Sequence, residues 1–187
     1  MKRLFIAIDI SEEARNVAAK YISALHAEFP HLRVSWERPE KLHITLKFLG
    51  RTEDTWIPEI VDALTGIAES HIAFQLDMSG SGVFPSARNP RVLWLGVDDM
   101  ESKLTELAKN VIDETGLLGF EPEKKKFNPH LTIARIKEPQ AARGLAEKHL
   151  QMKYEPVRFK VGHITLYESQ LRPTGSIYTK LEVFRLE

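Results

Sequence analysis

The sequence predicts a two-lobed fold of mixed strands and helices, built by duplication of one unit. Three observations carry this. The order strand, helix, strand, helix, strand, read from hydrophobic periodicity, occurs twice along the 187 residues. Leu4-Phe5-Ile6-Ala7-Ile8 is matched 88 residues on by Val92-Leu93-Trp94-Leu95-Gly96, and His43 is matched 87 residues on by His130. The chain is 43% hydrophobic and 28% charged, the balance of a globular protein, and its length suits one domain or two small lobes sharing a core. Two such units face one another across a pseudo-two-fold axis with a cleft between them. The alternative to duplication is chance likeness between two common strand–helix units.

The elements follow in order. Residues 4–10 are apolar and partly β-branched, which predicts a strand. Ser11 is placed to cap a helix, with Glu12 and Glu13 in its first turn, and Ala14, Val17, Ala18, Tyr21, Ile22 and Leu25 recur at helical spacing until Pro30 stops it. A short strand at 33–36 and an alternating strand at 42–49 follow, the second closed by Gly50. Thr52 is the expected cap of a second helix with Ile57, Ile60, Val61, Leu64 and Ile67 on its buried side, and residues 74–83 form a strand interrupted by Gly80 and Gly82. The second half repeats the order. A strand covers 91–97, and Asp98 or Asp99 caps a helix with Met100, Leu104, Leu107, Ala108, Val111 and Ile112 inward. A loop with Lys124, Lys125 and Lys126 leads to a strand at 130–136, Pro139 opens a fourth helix through Leu145 and Ala146, and strands cover 157–167 and 177–186.

Composition excludes several classes of function. There is no cysteine, so disulfides, thiol nucleophiles and thiolate metal sites are out. The 26 basic and 26 acidic residues give a formal net charge of +0, which argues against gripping long nucleic acid by wholesale phosphate neutralisation but leaves room for one or two local phosphates. Asp9 ends the first apolar run after five residues, too short for a signal-peptide core or a membrane span, so a cytoplasmic protein without membrane contact is expected.

Three of the seven histidines share one pattern: His43-Ile44-Thr45-Leu46, His130-Leu131-Thr132-Ile133 and His163-Ile164-Thr165-Leu166. In a strand, residues two apart share a face. Each pair therefore presents an imidazole, able to move a proton near neutral pH, beside a hydroxyl able to donate to an anionic oxygen. Two facing pairs make a pocket for one phosphate. For a lone pair the ordinary reading is a polar outer strand face. Equivalent positions in the repeat favour catalysis for His43 and His130. His163 stands outside the repeat, because its counterpart near residue 76 has no histidine, and it is expected to be a decoy. His26, His31, His71 and His149 are expected to be helix-surface residues. A metal is disfavoured because zinc takes three or four protein ligands and none is suitably spaced beside either motif. No P-loop, dinucleotide-binding glycine pattern or nucleophile elbow is present.

The chain resembles the 2H phosphoesterase superfamily, and within it the RNA 2′,3′-cyclic phosphodiesterase family, formerly called 2′-5′ RNA ligases. The matching segments are Arg3-Leu4-Phe5-Ile6-Ala7-Ile8, Lys41-Leu42-His43-Ile44-Thr45-Leu46-Lys47-Phe48-Leu49-Gly50, Gly82-Val83-Phe84-Pro85, Pro90-Arg91-Val92-Leu93-Trp94 and Pro129-His130-Leu131-Thr132-Ile133-Ala134-Arg135, with Leu166, Ser169, Gly175 and Tyr178 near the end. The resemblance implies a bilobal α+β fold in which two antiparallel sheets line a central cleft, with two helices outside each lobe. The expected organisation is a single domain over 1–187 whose lobes exchange terminal strands, with repeat halves about 1–86 and 87–187. It also implies cofactor-free, metal-independent opening of an RNA-terminal 2′,3′-cyclic phosphate to a 2′-phosphate. His43 would be the proton donor, His130 the proton acceptor, and Thr45 and Thr132 the phosphate donors. That acid and base assignment comes from the family, since the two histidines look alike in sequence.

Other substrate contacts follow from parity. Lys47 shares the parity of His43 and is a cationic candidate. Arg135 follows the second motif, as in the family, but falls on the opposite face from His130 unless a bulge intervenes. Trp36 and Phe48 are candidates to stack on a base, with Phe48 of core parity and so expected to pack instead. The expected partners are RNA ends or oligonucleotides bearing a 2′,3′-cyclic phosphate, and a cleft complete within one chain predicts a monomer. Ligation through a 2′-5′ linkage would use the same residues. The alternative function is a non-catalytic module that binds nucleotides or RNA ends.

Overall fold

The apolar strand at the start becomes the centre of one sheet because both of its faces find cover. In the computed structural model, which describes residues 1–121, 126–173 and 175–187, β1 (Lys2–Asp9) lies between β3 (His43–Thr52) and β8 (His163–Arg172), and β9 (Gly175–Arg185) completes the order β3-β1-β8-β9. Leu4, Ile6 and Ile8 on one face are fully buried, each contributing about 1.5–3 kcal/mol. Phe5 and Ala7, on the other face, are covered by aromatic side chains of the same sheet. The second sheet has the order β2-β6-β5-β4-β7, formed by Val34–Trp36, His130–Ile136, Asn89–Asp98, Phe74–Ser86 and Val157–Val161. All pairings are antiparallel. Each sheet draws strands from both sides of the turn between β4 and β5.

The helices lie outside the sheets. α2 (Ile57–Glu69) and α3 (Lys103–Leu117) cover the first sheet, and α1 (Glu12–Glu28) and α4 (Arg143–Gln151) cover the second. Ser11 caps α1 by accepting from the Ala14 amide at 3.2 Å, and Asp99 caps α3 by accepting from the Leu104 and Thr105 amides at 3.0 and 2.8 Å. No helix among the described residues is long and apolar enough to cross a membrane.

Several boundaries depart from expectation. Thr52 is the last residue of β3, paired with Lys2 and buried, and α2 starts only after a 3₁₀ turn, Asp54–Trp56. Met100 precedes α3 and is 87% exposed rather than packed. The fourth helix begins at Arg143, not at Pro139. The expected strand over 157–167 is two strands, because at Gly162 the chain leaves the second sheet and enters the first. Lys124 and Lys125 lie outside the described residues.

Candidate active site

The two sequence motifs open two equivalent strands. His43 is the first residue of β3 and His130 the first of β6, and these strands touch across the space between the sheets. Each imidazole is anchored in the same way. His43 Nδ1 meets the carbonyl of Lys41 at 2.7 Å and His130 Nδ1 meets that of Asn128 at 2.6 Å. A carbonyl only accepts, so Nδ1 carries the proton and Nε2 is left for a substrate. Aromatic walls hold both rings. Phe5 lies 4.9 Å and Tyr178 5.4 Å from His43, while Phe84 lies 5.2 Å and Trp94 6.0 Å from His130.

Matching bulges decide what else faces the cleft. On β3, Thr45 pairs with Ala7 but Lys47 pairs with Ile6, so Leu46 is an extra residue. The same shift places Phe48 opposite Phe5, and a second slip follows at Leu49, since Gly50 pairs with Leu4. An extra residue inverts the faces of everything beyond it. Phe48 therefore joins His43 and Thr45 on the cleft face and is 54% exposed, whereas Lys47 turns to the face of Ile6 and is 2% exposed. This reverses the parity expected for both. Lys47 borders the cavity from the core side, and its Nζ donates to the carbonyl of Glu121. On β6 the same slip occurs at Ile133, since Thr132 pairs with Trp94 and Ala134 with Leu93. It carries Arg135, opposite Val92, onto the face of His130 and Thr132. Trp36 pairs with Ala134, packs 5.5 Å from His26 and is also among the residues lining the cavity.

These residues line one cavity of about 740 Å³. It holds His43, Thr45, Phe48, His130, Thr132 and Arg135 together. Among the described lining residues there are six basic side chains and one carboxylate, Glu37, so a chain of balanced charge concentrates positive charge here. Arg135 Nε lies 3.9 Å from Glu37. Burial pushes the Glu37 carboxyl up, against the pull of Arg135 and Lys41. Burial also pushes His43 and His130 below the ordinary histidine value, with Arg135 adding to the effect at both. The Lys41 and Asn128 carbonyls oppose it, as does Asp9 at His43. A phosphate anion between the two rings would favour their charged forms.

The model of the 2′-5′ RNA ligase superfamily matches residues 12–172. The chain belongs to this superfamily. A relative in Methanothermobacter thermautotrophicus named RNA 2′,3′-cyclic phosphodiesterase is 34% identical over 98% of both chains. One of the same name in Aquifex aeolicus is 36% identical over 98% of this chain and 97% of its own. A crystal structure of a Thermus thermophilus protein superposes with a TM-score of 0.80 at 27% identity, covering 98% of this chain and 97% of that one. That of E. coli LigT complexed with 3′-AMP gives 0.76 at 26%, covering 99% and 98%. The α+β architecture expected from the motifs is thus the fold observed, and the chain is a 2H phosphoesterase.

The remaining histidines of this 2′-5′ RNA ligase superfamily member separate sharply. His163 lies outside the cavity and meets Asp9 Oδ2 at 3.1 Å. His149, expected on the surface, is fully buried. Its Nε2 faces the carbonyls of Gly82 and Trp94 at 3.0 and 3.2 Å, and its Nδ1 lies 3.0 Å from the Tyr21 hydroxyl. The helical spacing of Leu145, Ala146 and His149 was the available signal for that burial. Sequence reasoning also missed the walls Phe5, Phe84, Trp94 and Tyr178, and the carboxylates Asp9 and Glu37. For Asp9 the alternation of Phe5, Ala7 and Asp9 against Leu4, Ile6 and Ile8 was the readable sign. Among the described residues, no group of three or more His, Cys, Asp or Glu is arranged to hold a metal.

Proposed function

We propose that the chain is an RNA 2′,3′-cyclic 3′-phosphodiesterase that works by metal-independent two-histidine acid–base catalysis. The observation that carries the proposal is the pair of equivalent imidazoles, each fixed through Nδ1 and each beside a threonine on the wall of one electropositive cavity. A water attacks the phosphorus of the cyclic phosphate and gives its proton to His130 Nε2. The bond from phosphorus to the 3′ oxygen breaks as His43 Nε2 protonates that oxygen, leaving a 2′-phosphate and a 3′-hydroxyl. Thr45, Thr132 and Arg135 donate to the non-bridging oxygens, whose charge grows in the transition state. The exposed ring of Phe48 offers a face to the terminal base. Around each imidazole stand a threonine and aromatic rings, which supply hydrogen bonds and walls rather than ligands. With a 5′-hydroxyl in place of water, the same groups would form a 2′-5′ linkage.

The test is phosphorus NMR of an oligonucleotide ending in a 2′,3′-cyclic phosphate, incubated in excess chelator. We expect conversion to the 2′-phosphate. His43→Ala and His130→Ala should each lose at least roughly a hundredfold in turnover, the low end for one proton-transfer group. Binding without turnover would instead favour a module that recognises RNA ends, and activity lost to chelation and restored by zinc would refute the metal-free scheme.

A further inference from the structure

The third histidine–threonine pair has no place in the cleft. His163-Ile164-Thr165 runs along β8, on the far side of β1 from His43-Ile44-Thr45 on β3. The two pairs are copies displaced by two strands, about 9.5 Å apart, and Asp9 stands between them. Asp9 is the cross-strand partner of His43, yet its carboxylate turns to the other side. It accepts from His163 Nε2 at 3.1 Å, from Lys180 Nζ at 2.7 Å and from the Tyr167 hydroxyl, and Thr165 lies within 3.5 Å. Burial alone would raise the Asp9 carboxyl, but the bonds from His163, Lys180 and Tyr167 outweigh it and keep it ionised.

The second lobe has no counterpart. The residue opposite His130 is Gly96. A Cβ there would lie 2.4 Å from the Ser79 carbonyl, so a carboxylate at this cross-strand position is sterically forbidden. The likeness between the two halves of the cleft fails at this position.

We infer that Asp9 is a positioning residue of the active site: held by the third histidine–threonine pair, it fixes a negative charge beside His43 and so selects His43 rather than His130 as the proton donor. The inference rests on the two-histidine reaction proposed above. Other groups facing His43 act against Asp9 or balance one another. Arg135 and His130 approach from β6, Lys41 from the turn before β3, and the rings of Tyr178 on β9 and Tyr167 on β8 pack against His43, while Lys180 and His163 meet Asp9 itself, Arg15 on α1 donates to the Pro39 carbonyl, and Glu37 is the other acid near the cleft. Cations outnumber carboxylates, so without Asp9 the donor would surrender its proton at lower pH.

The experiment compares kcat/KM–pH profiles of wild type, Asp9→Asn and Lys180→Met on one cyclic-phosphate oligonucleotide, with NMR titration of the His43 and His130 ring protons in each protein. In the bell, the alkaline limb reports the donor and the acid limb the acceptor. Asp9→Asn should move the alkaline limb and the His43 titration down by about half a pH unit or more, leaving the acid limb in place. Lys180→Met, on an exposed strand, should move them up by removing the cation that offsets Asp9. A merely structural Asp9 would lower turnover without moving the alkaline limb, and that result would overturn the inference, as would movement of the acid limb instead. Should Asp9→Asn fail to fold, Lys180→Met decides alone. Absence of turnover in wild type would refute the proposed activity, while the NMR titrations would still decide the charge assignment.

Discussion

Replacing His149 with leucine tests the support behind one wall of the cleft. His149 is fully buried and joins α4 to the carbonyls of Gly82 on β4 and Trp94 on β5, directly behind the indole that packs on His130. Leucine fills similar space but donates nothing, so both carbonyls lose a partner, while the Tyr21 hydroxyl keeps its bond to the backbone carbonyl of residue 149 at 2.9 Å. At about 1–3 kcal/mol for each buried group left unsatisfied, with partial relaxation, the cost is about 2–4 kcal/mol. For a chain of this size that lowers Tm by about 5–15 °C. The pH dependence is the sharper signature. Burial pushes His149 below its ordinary 6.5, against the two carbonyl hydrogen bonds. The unfolded chain therefore takes up a proton first as pH falls. The stability tied to this neutral imidazole is complete above about pH 6.5 and is lost below it, by at most about 1.4 kcal/mol per pH unit. Urea denaturation of wild type and His149→Leu at about pH 7.5 and about pH 5.5 measures this. His43 and His130 titrate in both proteins, so the difference isolates His149. Wild type should lose about 1 kcal/mol more than the variant between the two pH values. Equal losses would refute a buried neutral imidazole at this position.

Two further substitutions probe how the fold presents the site. A Cβ on Gly82 would lie 2.0 Å from the Trp94 ring, so Gly82→Ala should displace the wall behind His130 and lower kcat about ten- to a hundredfold while circular dichroism is preserved. Arg135→Ala should lower kcat/KM by about ten- to a hundredfold, the value of one charge-assisted hydrogen bond, and steady-state rates across a salt series should show the gap between wild type and variant narrowing as ionic strength rises.

Part of the site was legible because its signal is local. The triplets His43-Ile44-Thr45 and His130-Leu131-Thr132 need only an extended backbone to put imidazole and hydroxyl on one face. The fold class was legible from the repeated strand–helix order and from motifs spread along the chain. Faces beyond the motifs were not legible, because the period of two holds only while strand register is unbroken. Bulges at Leu46 and Ile133 exchanged the expected faces of Lys47 and Phe48 and brought Arg135 into the cleft. The strand expected over 157–167 failed for a related reason. Its residues are uniformly strand-like, and only the existence of two sheets requires a break at Gly162.

By itself, then, the sequence determined the chemistry on offer: no thiol, balanced charge, and paired imidazole and hydroxyl groups on strands that follow a like order of elements. Only the tertiary structure decided how those groups differ. It gathered six basic side chains into one cavity, hid His149 in the core, and set Asp9 beside His43 but a glycine beside His130. The physical reason is that composition and alternation are properties of neighbours along the chain. Register, cross-strand partnership and closeness of backbones are set by segments far apart in sequence, and no local pattern records them.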